Sequence, residues 1–344
     1  MYKNNFDFLR HVFALCVVVA HCFPISGVGS CDWLCQLSNN QFDFSQLGVK
    51  GFFIISGYLI FQSLERSNSL FDYYWKRILR LFPGLLVVLV LTICLLPFVY
   101  NGSFLDYIAN RSTLTYIPNN LVLYRTQYTI PGVFESNPYK SIINGSLWTI
   151  PYEFTLYILL SCLFYLKQSK KLTKIILLLT TIFLLVTNLF FADKLIGRNF
   201  ILMSSHLVDL GFYFVAGSVL SVIKFNEFKY INVLLSIACV LIVGSLYVGF
   251  FEQIKYFILP IIVIGIGIKH TPLLSFLTEK TGDLSYGIYI YGFLIQQILM
   301  YYFHLNLWTL LICSLIIVPL FALFSWHIIE KKALSFKNYF KTRT

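Results

Sequence analysis

Apolar runs of roughly 20 residues recur along the whole chain, and each is long enough to cross the hydrocarbon core of a bilayer as a helix. The first, FLRHVFALCVVVAHCF (8–23), is typical in length but carries Arg10 and His21. Of the 344 residues, 58% are hydrophobic and only 12% charged, about half the charge of an ordinary soluble domain. The pattern predicts an all-α fold, a polytopic transmembrane helix bundle of about ten spans. They fall near 8–25, 48–64, 81–100, 146–166, 174–192, 202–223, 231–250, 255–268, 283–302 and 308–327. The eighth is the shortest. Aromatic residues crowd the span ends, as in PFVY and YILLSCLFY, in keeping with interfacial belts.

Charge orients the bundle. Formal net charge is +11, yet no basic run interleaved with aromatics lies outside the spans, so nucleic acid is not expected as a partner. With both termini on the cytoplasmic side, the inner segments hold 19 of the 26 Lys and Arg. The outer ones hold Lys50, Arg111, Arg125, Lys140, Lys194, Arg198 and Lys255. That asymmetry is the positive-inside rule and predicts N-in, C-in. Lys3 before an apolar core resembles a signal peptide, but Arg10 and His21 bracket the core and no A-x-A site follows, so the run reads as a permanent span. Residues 1–344 are expected to form a single membrane domain with no appended soluble one. The longest loop, about 101–145, is then external, polar and turn-rich, and loops of that length are commonly functional. No internal repeat is visible, which weakens a transporter reading without removing it.

Of eight cysteines, most sit in apolar runs, where a thiol acts as a small hydrophobe. Cys31 and Cys35, in CDWLC, fall in a loop on the oxidising side and are either bridged locally or free. No zinc spacing occurs, and no metal is expected.

Four stretches carry polar groups into the spans. Arg10 and His21 are separated by about 1,100° of helical rotation, so they share one face, roughly 16 Å apart along the axis. Ionisable groups at membrane depth are costly and face the bundle interior, although an interfacial arginine and a structural histidine would give the same spacing. In NGSLWTIPYEFTLY (144–157), Glu153 falls about 5 Å outward of its span's midplane and His21 about 7 Å outward of its own. A carboxylate and an imidazole at matching depth can meet, and such a pair makes a competent general base; a buried Glu paired elsewhere is the alternative. Tyr157 shares the face of Glu153. In YYWKRILRLFPG (73–84), Arg77 and Arg80 with Lys76 are suited to phosphate, or serve only as inner anchors. In LGVKGFFIISGYL (47–59), Gly48, Gly51, Ser56 and Gly57 permit close helix approach, and Lys50 is placed to snorkel outward. His206 and Asp209 read as a structural pair at the outer rim. Gln296, Gln297 and Glu330 are polar enough to line a cavity.

In this order, these stretches resemble the acyltransferase-3 family of membrane enzymes that O-acylate carbohydrates. The resemblance runs from residue 6 to about 336. Its most specific element is the Arg-x10-His pair, matched by Arg10 and His21. GVKGFFIISGYL, the Arg-x-x-Arg-x-x-Pro run ending at Pro83, NGSLWTIPYEF and LSYGIYIY also match, and SWHIIEKK resembles the closing motif, with Lys332 where Pro is common. Many members carry Trp-His-x-Pro where this chain has Tyr291, Gly292, Phe293 and Leu294. That departure resembles the branch acting on bacterial surface polysaccharides and leaves no histidine there.

The resemblance implies a cytoplasmic acyl-CoA donor, acetyl-CoA foremost, and as acceptor a polysaccharide or lipid-linked glycan hydroxyl outside the bacterial inner membrane. It implies His21, Glu153 and Arg10 as the catalytic set, and Arg77, Arg80 and Lys76 as the donor's partners. Trp148, Asn144, Tyr157, Ser56, Lys50 and Tyr286 would contact substrate. His21 would act either as base or as transient acyl carrier. The competing class is a transporter or flippase of polysaccharide intermediates lined by the same residues, and a polymerase of the same pathway is a third.

Overall fold

The computed structural model describes residues 4–198, 202–272, 274 and 281–339. Of the inner cations counted above, Lys3, Lys280, Lys341 and Arg343 lie outside the described residues. The described chain is helical, with β pairing confined to one bridge between Tyr100 and Val133. Each expected span corresponds to a helix. We label these α1 (Phe6–Ile25), α2 (Phe44–Arg66), α3 (Leu70–Leu95), α4 (Ile150–Ser161), α5 (Lys170–Phe190), α6 (Ser204–Val222), α7 (Ile231–Val248), α8 (Phe251–Gly267), α9 (Ser285–Phe303) and α10 (Leu307–Ser325).

Among the described residues, eight stretches are long and apolar enough to cross a membrane, and they contain all these helices except α8 and α9. The protein is therefore a multi-pass membrane protein. α8 is 17 residues long and carries Glu252 and Lys255. α9 is rich in tyrosine and holds Gln296 and Gln297, and every residue from Ser285 to Gln297 is buried. A helix enclosed by protein needs no uniformly apolar surface, which is why its sequence is less hydrophobic. α5 and α7 are the opposite case, with most of their apolar surface uncovered by the chain and available to lipid.

Several boundaries differ from expectation. α3 begins at Leu70, eleven residues early, so YYWKRILR is helical and Arg77 and Arg80 belong to the same helix as Pro83. The fourth span opens with a 3-10 turn, Gly145–Thr149, before α4. The loop at 101–145 contains short helices, Phe104–Ala109 and Arg111–Leu121. The first starts with a reciprocal cap, Ser103 and Asp106 bonding to each other's backbone N–H.

The helices form two compact units. One comprises Met1–Phe13, Trp33–Tyr73 and Pro151–Lys280, the other Ala14–Asp32, Tyr74–Ile150 and Thr281–Thr344. In the first, α2 and α6 touch backbone to backbone. A Cβ on Gly57 would lie 1.8 Å from the Phe214 carbonyl oxygen, and one on Gly217 would lie 2.2 Å from that of Ile54. Ser218 Oγ donates to the Gly57 oxygen across the contact at 3.0 Å. This is small-residue packing, which takes the place of the hydrophobic effect inside lipid. In the second unit, α9 meets α10 where a Cβ on Gly287 would fall 2.9 Å from Ala322, and it meets Val18 at Gly292.

Gly57→Ala is expected to destabilise the purified protein by about 1–3 kcal/mol, because backbone atoms cannot make room. Gly244→Ala, with nothing within 4 Å of its added carbon, is expected to leave stability unchanged or slightly raised. Thermal unfolding in detergent checks both.

Candidate active site

His21 stands on the fifth turn of α1, eleven residues beyond Arg10 in one unbroken helix. Its ring meets the Phe293 ring edge to face, with centroids 5.0 Å apart at 80°. Nδ1 is buried without a hydrogen-bond partner among the described residues, while the residue as a whole is half-buried. The imidazole is thus held by packing, and no hydrogen bond fixes its Nδ1.

Phe293 is held in turn. A Cβ on Gly145 would lie 2.7 Å from its ring, and Tyr139 packs on it at 5.8 Å. One turn later on α9, Gln296 Nε2 donates to the Val18 carbonyl at 2.8 Å and reaches Cys22 Sγ at 3.0 Å. Those residues lie three before and one after His21, so Gln296 fixes the stretch of α1 that carries it. Asn144 donates through Nδ2 to the Ile290 carbonyl at 2.8 Å, and its Oδ1 caps the 3-10 turn at the Ser146 N–H. Asn137 donates to both oxygens of Gln297 at 2.9 Å. Trp148 lies half-buried in that turn. Loop 137–149 is therefore tied to α9 by side chains, and Asn144, expected at the substrate, spends both its polar atoms on this construction.

The same unit also holds the arginines of α3. Arg80 Nη2 forms an ion pair with Asp283 Oδ2 at 2.6 Å, both side chains largely buried. Asp283 is braced by Ser285 Oγ at 2.5 Å. The guanidinium lies 5.9 Å from the centre of the Tyr286 ring, whose hydroxyl donates to the Leu81 carbonyl at 2.8 Å. Arg77, one turn earlier on α3, is half-buried, as is Lys76. The structure thus brings Arg80 and Tyr286 together and adds a carboxylate that no motif announced. The sequence trace of Asp283 is its place in the polar stretch TGDLSYGIYIYGFLIQQ.

In the other unit, Glu153 accepts hydrogen bonds from Tyr157 Oη and from Ser56 Oγ, the latter at 3.3 Å. Tyr157 is fixed through its carbonyl by Tyr73 Oη at 3.0 Å. Three predicted residues, Ser56, Glu153 and Tyr157, are therefore one cluster. Lys50 is not part of it and does not snorkel. It is 5% exposed, donates to Gln46 Oε1 at 2.9 Å and pairs with Asp209 at 3.6 Å. Asp209, which acts electrostatically on His206 as expected, also bonds Lys50 and Tyr256, and His206 packs on Tyr152. Cys31 and Cys35 are both disulfide-bonded, and the other six cysteines are free.

Comparison with known proteins decides the class. A family model described as an acyltransferase domain matches residues 3–327. The chain belongs to the acyltransferase-3 family. It is 29% identical over 342 residues to an O-acetyl transferase of Shigella phage Sf6, covering 97% of each chain. It is also 34% identical over 179 residues to nodulation protein 10 of Rhizobium leguminosarum bv. viciae, covering 47% of this chain and 44% of that one. No solved structure matches it. It is an enzyme of the acyltransferase class, an O-acetyltransferase.

Phe293→Leu keeps the volume but removes the edge-to-face contact with His21. A ring pair of this kind contributes about 0.5–1.5 kcal/mol, so turnover is expected to fall roughly two- to twelvefold. The amount of protein in the membrane should not change. Initial rates of acetyl transfer by membranes of matched protein content measure it.

Proposed function

We propose that the protein moves an acetyl group from cytoplasmic acetyl-CoA to a sugar hydroxyl of a cell-surface polysaccharide, such as an O-antigen, at the outer side of the bacterial inner membrane. Residues 1–344 work in this reading as one membrane acyltransferase domain with both termini cytoplasmic. The family supports acyl transfer, and the phage relative's name supports acetyl. The surplus of Lys and Arg in the inner segments supports a donor arriving from within, since phosphates are held by guanidinium and ammonium groups.

His21 carries the chemistry. The observation behind this is an imidazole inside a membrane span, fixed by Phe293 and with Nδ1 buried, which leaves one nitrogen for reaction. In direct transfer, that nitrogen takes the proton of the acceptor hydroxyl as its oxygen attacks the thioester carbonyl. The C–S bond breaks, and the proton passes to the departing thiolate. In the two-step route the same nitrogen attacks the thioester carbonyl and expels CoA as its thiolate, and the alcohol then displaces the imidazole from the acetyl group, its proton passing to the thiolate. Arg10 and Glu153 complete the catalytic set. Arg10 positions the donor from the cytoplasmic end of α1, and Glu153 is the carboxylate of the outer half. Arg77, Arg80 and Lys76 take the donor's phosphates, with Arg80 exchanging Asp283 for them. Trp148, Tyr157, Ser56, Lys50 and Tyr286 are assigned to substrate contact, and Asn144 to the wall of its site.

His21→Ala is expected to abolish transfer while leaving the protein folded and inserted. Cells making only this variant should yield glycan lighter by the mass of the acetyl groups, as in cells without the gene. Acetylated glycan from such cells would refute the assignment of His21.

A further inference from the structure

The last apolar helix does not end as an α-helix. After α10 the chain makes a π-turn, Trp326–Glu330, before resuming as α-helix at Lys331–Ser335. Such turns insert a residue, re-aim the side chains around them and concentrate at functional sites. The side chain at the end of this one is a carboxylate. Glu330 is 2% exposed. Its Oε1 accepts from Ser325 Oγ at 2.9 Å, and Ser325 in turn meets Tyr291 Oη at 3.4 Å. Its Oε2 is buried and has no partner among the described residues.

A buried carboxylate oxygen without a donor is costly, and a donor stands near. Arg80 is close enough to act on Glu330 electrostatically, yet its guanidinium is bonded to Asp283. A role as counter-ion to Arg80 therefore belongs to Asp283 and leaves Oε2 unexplained. Glu330 packs beside Gly84 of α3. A Cβ there would lie 3.6 Å from the Glu330 carboxyl carbon and 2.8 Å from the Tyr286 ring. Gly84 lies four residues past Arg80 on α3, about 6 Å further along the helix axis. Phosphates held at Arg77 and Arg80 would leave the rest of a donor to pass this point.

We propose that Glu330 contacts the donor, its Oε2 accepting an amide N–H of the arm that joins the donor's phosphates to its thioester. The inference rests on the reading of the donor as an acyl-CoA, whose pantetheine arm carries two such N–H groups. A carboxylate is the strong acceptor for them, and the π-turn ends on this one.

Binding of CoA and of pantetheine, which has the arm without the phosphates, tests this on the full chain in lipid nanodiscs, by competition against labelled CoA. Glu330→Gln is expected to weaken both ligands by about tenfold, as loss of a charge-assisted bond does. Arg80→Lys is expected to weaken CoA and spare pantetheine. Glu330→Gln that binds both ligands like wild type, or that weakens CoA alone, overturns the inference while the acyl-CoA reading stands. Wild-type protein that binds neither ligand overturns both. Should Glu330→Gln not accumulate, Glu330→Asp, which keeps the charge and withdraws the oxygen, is expected to show the same loss of pantetheine, and its unchanged binding would overturn the inference equally.

Discussion

Hydrocarbon offers a polar side chain nothing to bond to, so every such group in this chain has to be held by another part of the protein. This constraint sorts the residues. Lys50 is satisfied by Gln46 and Asp209, Asn144 by Ile290 and Ser146, and Gln297 by Asn137, Tyr139 and Ile142. Their polar atoms are taken up within the protein. His21 and Glu330 each keep a buried atom with no partner among the described residues. The bracing Gln296 and Asn137 keep one too, but His21 and Glu330 are ionisable, and an ionisable group in that condition inside a membrane is where a substrate has something to offer.

The packing serves these groups. α9 is buried along most of its length, and it carries Phe293 against His21, Gln296 against Val18, Gln297 against the loop at 101–145 and Tyr286 against Arg80. One helix thus organises both ends of its unit. Gly287 and Gly292 let it sit close to Ala322 and Val18, and close approach is what holds the imidazole to within a ring contact of Phe293. In the other unit the same device, Gly57 on the Phe214 backbone, seats α2 so that Ser56 reaches Glu153.

Much of this was legible before any coordinates. Length and hydropathy located all ten helices because a membrane span is a long-range average over about 20 residues. The eighth and ninth were found by position, although α8 has only 17 residues and the tyrosines and glutamines of α9 lower its hydropathy. The start of α3 was misplaced by eleven residues because Tyr, Trp, Lys and Arg lower the hydropathy of a stretch whose helical backbone continues regardless. Sequence also grouped Ser56, Glu153 and Tyr157 among the functional residues, the last two through their shared face. It did not reveal Asp283 as the partner of Arg80, the binding of Lys50 by Asp209, or Gln296 as a brace for α1. Each is a tertiary contact between residues far apart in the chain, and periodicity within one helix carries no trace of such pairs.

The central claim is that an acetyl group enters from one face of the membrane and leaves on an alcohol at the other. Proteoliposomes with the protein inserted in one orientation test it most directly. Labelled acetyl-CoA is supplied on the face bearing the chain termini, and acceptor glycan is sealed on the opposite face. The account predicts label on the glycan across the bilayer, and none when donor and acceptor change sides. Labelling only when both share one compartment, or passage of unmodified glycan without label, would contradict it.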